Sequence, residues 1–137
     1  MKRLPAELRH PLFLLGTAAY VVLVVYRHGG PLSARWHWPP LPALVRHHLA
    51  DVLTLPLLLT LELWGLRRLY FRQPAFVLPT SWIFSSWVVI SIWFEGLLPH
   101  FDARATADWL DVGAYALGGL IFGHWLNRPA PTRPGRP

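Results

Sequence analysis

Apolar residues run along this chain in four blocks, residues 12–26, 49–66, 76–98 and 107–126, and the stretches between the blocks hold most of the charge. Blocks this continuous predict helices that are apolar on every side, in place of the one-faced periodicity of a soluble domain. A helix needs about 20 mostly apolar residues, at 1.5 Å per residue, to cross about 30 Å of hydrocarbon. Residues 12–26 are short for this, but Arg9, His10, Arg27 and His28 flank them with side chains long enough to reach the headgroups. The second block carries Asp51, Pro56 and Glu62 and stops at Arg67 and Arg68; the third is interrupted only by small polar residues and Glu95. The fourth opens on Asp108 and Asp111 and closes on Asn127, Arg128 and Pro129. The pattern therefore predicts an all-α integral membrane bundle of four transmembrane helices. Residues 1–128 form its single domain, and the Pro/Arg-rich residues 129–137 form a disordered tail.

Composition supports the same reading. Hydrophobic residues make up 53% of the 137 and charged residues 15%, against roughly 45–50% and about 25% in a soluble domain. Eight Trp, four Tyr and seven Phe sit mostly near block ends, where amphipathic rings favour the membrane interface. The absence of Cys excludes disulfides and thiolate metal sites. The formal charge of +6 raises the question of nucleic acid, but the basic residues flank apolar runs and form no stripe with interleaved aromatics, so anionic lipid is the expected counter-charge. Lys2, Arg3 and Arg9 before an apolar run resemble a secretory signal; no small-residue cleavage pattern follows Tyr26, which predicts an uncleaved anchor.

Orientation follows from the placement of Lys and Arg, which cytoplasmic loops concentrate. With the N-terminus inside, nine of them fall on the inner side, and Arg27, Arg35, Arg46 and Arg104 fall on the outer side. Both termini are therefore expected in the cytoplasm, the localisation being a cytoplasmic membrane crossed several times. The loop from Arg27 to His48, with Trp36, Trp38, Pro39 and Pro40, is expected to rest on the outer bilayer surface. No repeat, phosphate-loop or dinucleotide glycine pattern, zinc-protease or serine-hydrolase motif is present. No nucleophile accompanies the acids, so catalysis is not expected.

Charge inside a bilayer costs several kcal/mol at the centre, so each embedded ionisable group needs a partner, a wet site or a function. Asp51, Glu95, Asp102, Asp108 and Asp111 all fall toward the outer side, with His47, His48, His100 and Arg104. Counting 1.5 Å per residue puts Glu95 about 12 Å and Asp111 about 8 Å outward of the midplane. Arg104, in the turn between them, is positioned to pair with one or both, which would either staple the two spans or form part of an outward-facing polar site. Asp111 and Tyr115 share a helix face. Glu95, Arg104, Asp108, Asp111 and Tyr115 are the candidate ligand-binding residues. His47, His48 and Asp51 offer nitrogen and oxygen donors at helical spacing for a divalent cation, the one cofactor considered, and Glu95, His100 or Asp111 would complete such a site. Gly118, Gly119 and Gly123 are small residues suited to close helix packing, within the bundle or in a homodimer through the fourth span. On the inner side, Glu62 is expected to contact His124 or to reach toward Arg67 or Arg68.

The run of Glu95, Arg104, Asp111, Tyr115 and Gly118 resembles the VanZ-like membrane proteins, whose usual pattern is Glu, Arg, Asp, Asn, Gly; here Tyr115 stands in place of the Asn and Leu98 where a Gln is common. Segments 51–56, 94–99 and 106–112 are also similar to short bacterial membrane proteins labelled magnesium citrate secondary transporters. The first resemblance implies a bacterial inner-membrane protein linked to glycopeptide resistance, whose outer polar site meets lipid-linked cell-wall intermediates or the antibiotic. The second implies a transporter, or a subunit of one, for magnesium-citrate. Transporters of that kind bind substrate near the midplane between repeats, and this chain has neither a repeat nor a midplane cluster of ionisable residues.

Overall fold

The structure is a computed structural model that describes residues 5–28, 42–103 and 105–130. It is all-helical, with no strand among the described residues. A 3-10 turn at Glu7–Arg9 leads into α1 (Pro11–His28), followed by α2 (Ala43–Gly65), α3 (Thr80–Ser91) and α4 (Trp109–Ile121). α2 runs on through a π-helical turn at Leu66–Tyr70, α3 through one at Ile92–Leu97 and a last α-turn at Leu98–Phe101, and α4 through one at Phe122–Leu126. Each π turn takes up an extra residue and so shifts the face that the following side chains occupy.

The boundaries differ from the apolar blocks for local reasons. α2 begins at Ala43, six residues before its block, because Pro42 supplies extended backbone and no residue from 43 to 48 opposes the helix. His47, His48 and Asp51 therefore all lie on it. α3 begins at Thr80, four residues after its block, since Pro74 sits in a turn closed by the Phe76 N–H on the Gln73 carbonyl and Pro79 holds extended backbone just before the helix. Of the expected tail, Pro129 and Ala130 fold back, the Ala130 N–H donating to the Pro74 carbonyl at 3.2 Å; the rest of it, the loop 29–41 and Arg104 lie outside the described residues.

α2 is the central helix. Leu55, Leu59 and Leu63 repeat every four residues on one face and are buried with Leu78, Tyr115 and Phe122, while Ile83, Trp87, Ile90 and Phe94 pack around them. α2 packs most extensively on α4 and then on α1. Gly16 of α1 faces Leu53 and Leu57, and the paired contacts of α4 with α2 advance in the same direction along both helices, so those two run parallel.

The α2–α4 contact depends on two residues. Pro56 has no N–H, so the Val52 carbonyl one turn earlier loses its helical partner. Gly118 sits against that carbonyl: a Cβ there would fall on Val52 O and within 2.8 Å of Pro56 Cδ. Gly119 packs against Leu55 and Ile83, and Gly123 against Ile83, so all three glycines serve contacts inside the chain.

At the opposite end from the acids, Arg67 is buried and ties three segments together. Its Nε donates to the Phe76 carbonyl at 2.7 Å, Nη1 to Glu7 Oε1 at 2.8 Å and Nη2 to the Arg128 carbonyl at 2.7 Å. Beside it, the Asn127 amide exchanges two 2.8 Å bonds with the backbone of Leu78. Arg67 thus reaches Glu7 instead of Glu62, whose carboxylate meets Ser86, and His124 stacks edge-on against Trp125.

Outside this core many large apolar side chains are exposed. Leu14, Leu15, Val21 and Val22 of α1, Phe84 and Val89 of α3, and Leu117 and Leu120 of α4 are exposed, and α3 has no fully buried residue. Two helical stretches, Ala43–Tyr70 and Thr80–Phe101, are long and apolar enough to cross a membrane, and Pro11–Arg27 is apolar but shorter.

The packing predicts opposite outcomes for two glycines of one helix. Gly118→Ala must push α4 off the α2 backbone and is expected to destabilise the fold by about 1–3 kcal/mol. Gly113→Ala, with nothing within 4 Å, should be neutral or stabilising by up to about 1 kcal/mol. Equilibrium unfolding of the two variants in detergent micelles checks this.

Candidate functional site

The end of the bundle opposite Arg67 gathers ionisable side chains from three helices. α4 begins where Asp108, in extended conformation, caps it by accepting the Leu110 N–H at 2.9 Å on Oδ1. That cap places Asp111 in the first turn, where the helix dipole favours an anion. Tyr115 follows one turn deeper on the same face and is buried.

α2 brings His48 and Asp51 to that face. His48 Nδ1 lies 2.7 Å from Asp111 Oδ1, and Asp51 is within hydrogen-bonding reach of Asp111 and accepts from the Tyr115 hydroxyl at 3.3 Å. From the other side, the π turn after α3 turns Glu95 inward. Its Oε2 accepts the Asp108 backbone N–H at 2.6 Å, and its Oε1 lies 3.4 Å from the same Tyr115 hydroxyl. Trp87 adds a bond from its indole N–H to the Val112 carbonyl at 3.0 Å, holding α3 to α4 just below.

Tyr115 thus stands between two carboxylates with a single proton to donate. Glu95, Asp108, Asp111 and Tyr115, expected as one group, do come together, and His48 and Asp51 join them. His47 does not: it turns to Arg46, whose Nη2 is 3.2 Å from its Nε2. His100 turns back to the Gly96 carbonyl of its own helix at 2.8 Å. The expected pairing through Arg104 lies outside the described residues. α3 and α4 are joined at this end by Glu95 and the backbone N–H of Asp108, and Arg27 at the end of α1 faces Asp51 electrostatically.

Acceptors outnumber donors here. Asp51, Glu95, Asp108 and Asp111 supply eight carboxylate oxygens. Against them, among the described residues, stand one imidazole, one phenol, two backbone N–H groups and the charge of Arg27. One further feature is an apolar cavity of about 410 Å³ between α2 and α4, lined by Leu44, Val45, Leu110 and Ala114, into which His48 opens. Arg27 carries no signal in the sequence beyond that of an outer flank, and the direction of Glu95, itself an expected site residue, depends on a π turn that no residue pattern announces.

Set against known proteins, the chain matches no family model, no curated protein and no solved structure.

Removing the Tyr115 hydroxyl leaves Asp51 and Glu95 facing each other without a donor. Tyr115→Phe is expected to cost about 1–3 kcal/mol of stability. Adding Glu95→Gln, whose amide restores a donor, should recover part of that loss. Unfolding of the two single variants and the double variant measures the recovery.

Proposed function

We propose that the chain is a four-span protein of the bacterial inner membrane, VanZ-like in type, with both termini in the cytoplasm and an outer polar site that binds an envelope ligand. One observation carries the reading: the unbalanced carboxylates of Asp51, Glu95 and Asp111, joined by Tyr115, lie at one end of a bundle whose outward faces are apolar.

The exposed Leu, Val and Phe side chains need an apolar medium to cover them, and a bilayer supplies it. In that setting α3 with its extension, Thr80–Phe101, is about 33 Å long and matches the hydrocarbon thickness. The 18 residues of α1 and the 18 of α4 with its π turn reach about 27 Å each, at the short end of the spanning range. Exposed Trp82 and Trp125 fall at the inner end and exposed Trp93 and Trp109 at the outer end, as interfacial belts do.

A site rich in acceptors recognises donors. Sugar hydroxyl and ammonium groups, which cell-wall intermediates carry, suit the free carboxylate oxygens, and the embedded position strengthens each such bond. Binding, without catalysis, is the role that these residues support: the acids are held by a phenol, an imidazole and backbone N–H groups, with no activated nucleophile among them.

Topology and binding are tested separately. In the Cys-free chain, a single Cys at Ala107 should react with an impermeant thiol reagent in intact cells and one at Ala75 should not; equal labelling of the two would contradict the four-span arrangement. For binding, lipid-linked cell-wall precursor at about 100 times its dissociation constant should stabilise the protein in nanodiscs by about 2.7 kcal/mol. Glu95→Gln and Asp111→Asn should abolish the effect. Absence of any precursor-dependent shift in the unmodified protein would overturn the proposal.

A further inference from the structure

We propose that His48, Asp51 and Asp111 form a site for a divalent cation of the zinc and manganese class, an inference that rests on the outer cluster being a binding site and names the ligand it takes first.

One donor atom from each of these residues lies within 4.8 Å of the other two. Zinc bonds to imidazole nitrogen and carboxylate oxygen are about 2.0–2.2 Å long, so ligands sharing an ion sit about 3–3.5 Å apart. His48 Nδ1 and Asp111 Oδ1, now 2.7 Å apart, must open slightly, and the Asp51 oxygen lies within 4.8 Å of both, so side-chain rotations on fixed helices suffice to bring the three donors to an ion.

The donors are prearranged. They come from α2 and α4, whose separation is set by the contact of Gly118 with the Val52 carbonyl. The Tyr115 hydroxyl orients Asp51 from outside the trio, as hydrogen-bonded neighbours orient metal ligands. Asp51 and Asp111, within hydrogen-bonding reach of each other, need a positive charge between them. A proton satisfies one pair of oxygens; a divalent ion satisfies both carboxylates and the imidazole together. Glu95 and Asp108 add negative charge nearby, and Arg27 opposes it.

The donor set also selects the ion. One nitrogen and two carboxylates suit zinc and manganese, whereas magnesium prefers near-octahedral oxygen and water coordination. Three protein donors leave coordination positions open. An ion there gives an acid-rich site the positive centre that the phosphate of a lipid-linked ligand requires.

The test uses the full chain in nanodiscs, freed of metal by a chelator and titrated with zinc, manganese or magnesium chloride. Thermal unfolding and the visible absorption of bound cobalt(II) are the two readouts. Zinc is expected to raise the unfolding midpoint and magnesium at equal concentration to leave it unchanged. Apparent zinc affinity should fall at least about tenfold in Asp111→Asn and in His48→Gln, in line with the usual effect of perturbing a metal site. His47→Ala should keep the unmodified affinity. Absence of a zinc shift, or an equal shift in Asp111→Asn and Asp51→Asn, each still giving a cooperative transition without metal, would overturn the site. If precursor stabilises the protein in chelator while zinc does not, the cation site falls and the binding reading stands; if neither stabilises it, both fall.

Discussion

The approach of Gly118 to the Val52 carbonyl fixes how α2 and α4 lie against each other, and the carboxylate site follows from it. Pro56 frees that carbonyl from the helix ladder, and the missing side chain at Gly118 lets a neighbouring backbone come up to it. Because the helices run parallel, the register set there carries outward turn by turn. Tyr115 meets Asp51 and Asp111 meets His48. A displacement of α4 by the width of one methyl group would disturb all of these contacts together, since interiors have no slack to absorb it.

The two ends of the bundle solve the burial of charge in different ways. At the Arg67 end, Nε, Nη1 and Nη2 each donate to an acceptor on a different segment, and Asn127 closes two bonds on Leu78. Those contacts read as structure. At the opposite end, Tyr115 has two carboxylates for one proton, and Asp51 and Asp111 face each other. Between the ends the core is apolar, built on Leu55, Leu59, Leu63 and Phe122. Among the described residues the surplus of acceptors falls at the carboxylate end, and it is the physical ground for placing function there.

Much of this was legible in the amino-acid sequence, because block length and the clustering of acids are properties of the chain order. The helices and the common end of Asp51, Glu95, Asp108 and Asp111 follow from the lengths and order of the apolar blocks, and the shared face of Asp111 and Tyr115 from 3.6-residue periodicity. What escaped depends on exact rotation. Whether His47 or His48 faces Asp111 turns on 100° of helix, and the rotation of Glu95 is set by a π turn. Arg67 has the composition of a flanking charge, yet its partner Glu7 lies 60 residues away and two of its bonds go to backbone carbonyls, which no side-chain pattern encodes. Glu62 meets Ser86 and His124 stacks on Trp125, neighbours that counting depth along the helices does not single out.

A double-mutant cycle on His48 and Asp111 reads the register of α2 against α4 most directly. Stabilities of His48→Ala, Asp111→Ala and the double variant should give a coupling energy of about 0.5–3 kcal/mol, as side chains in contact do, while the same cycle with His47 should give none beyond error. Equal coupling of both histidines, or no coupling of His48, would contradict the arrangement from which the site is built.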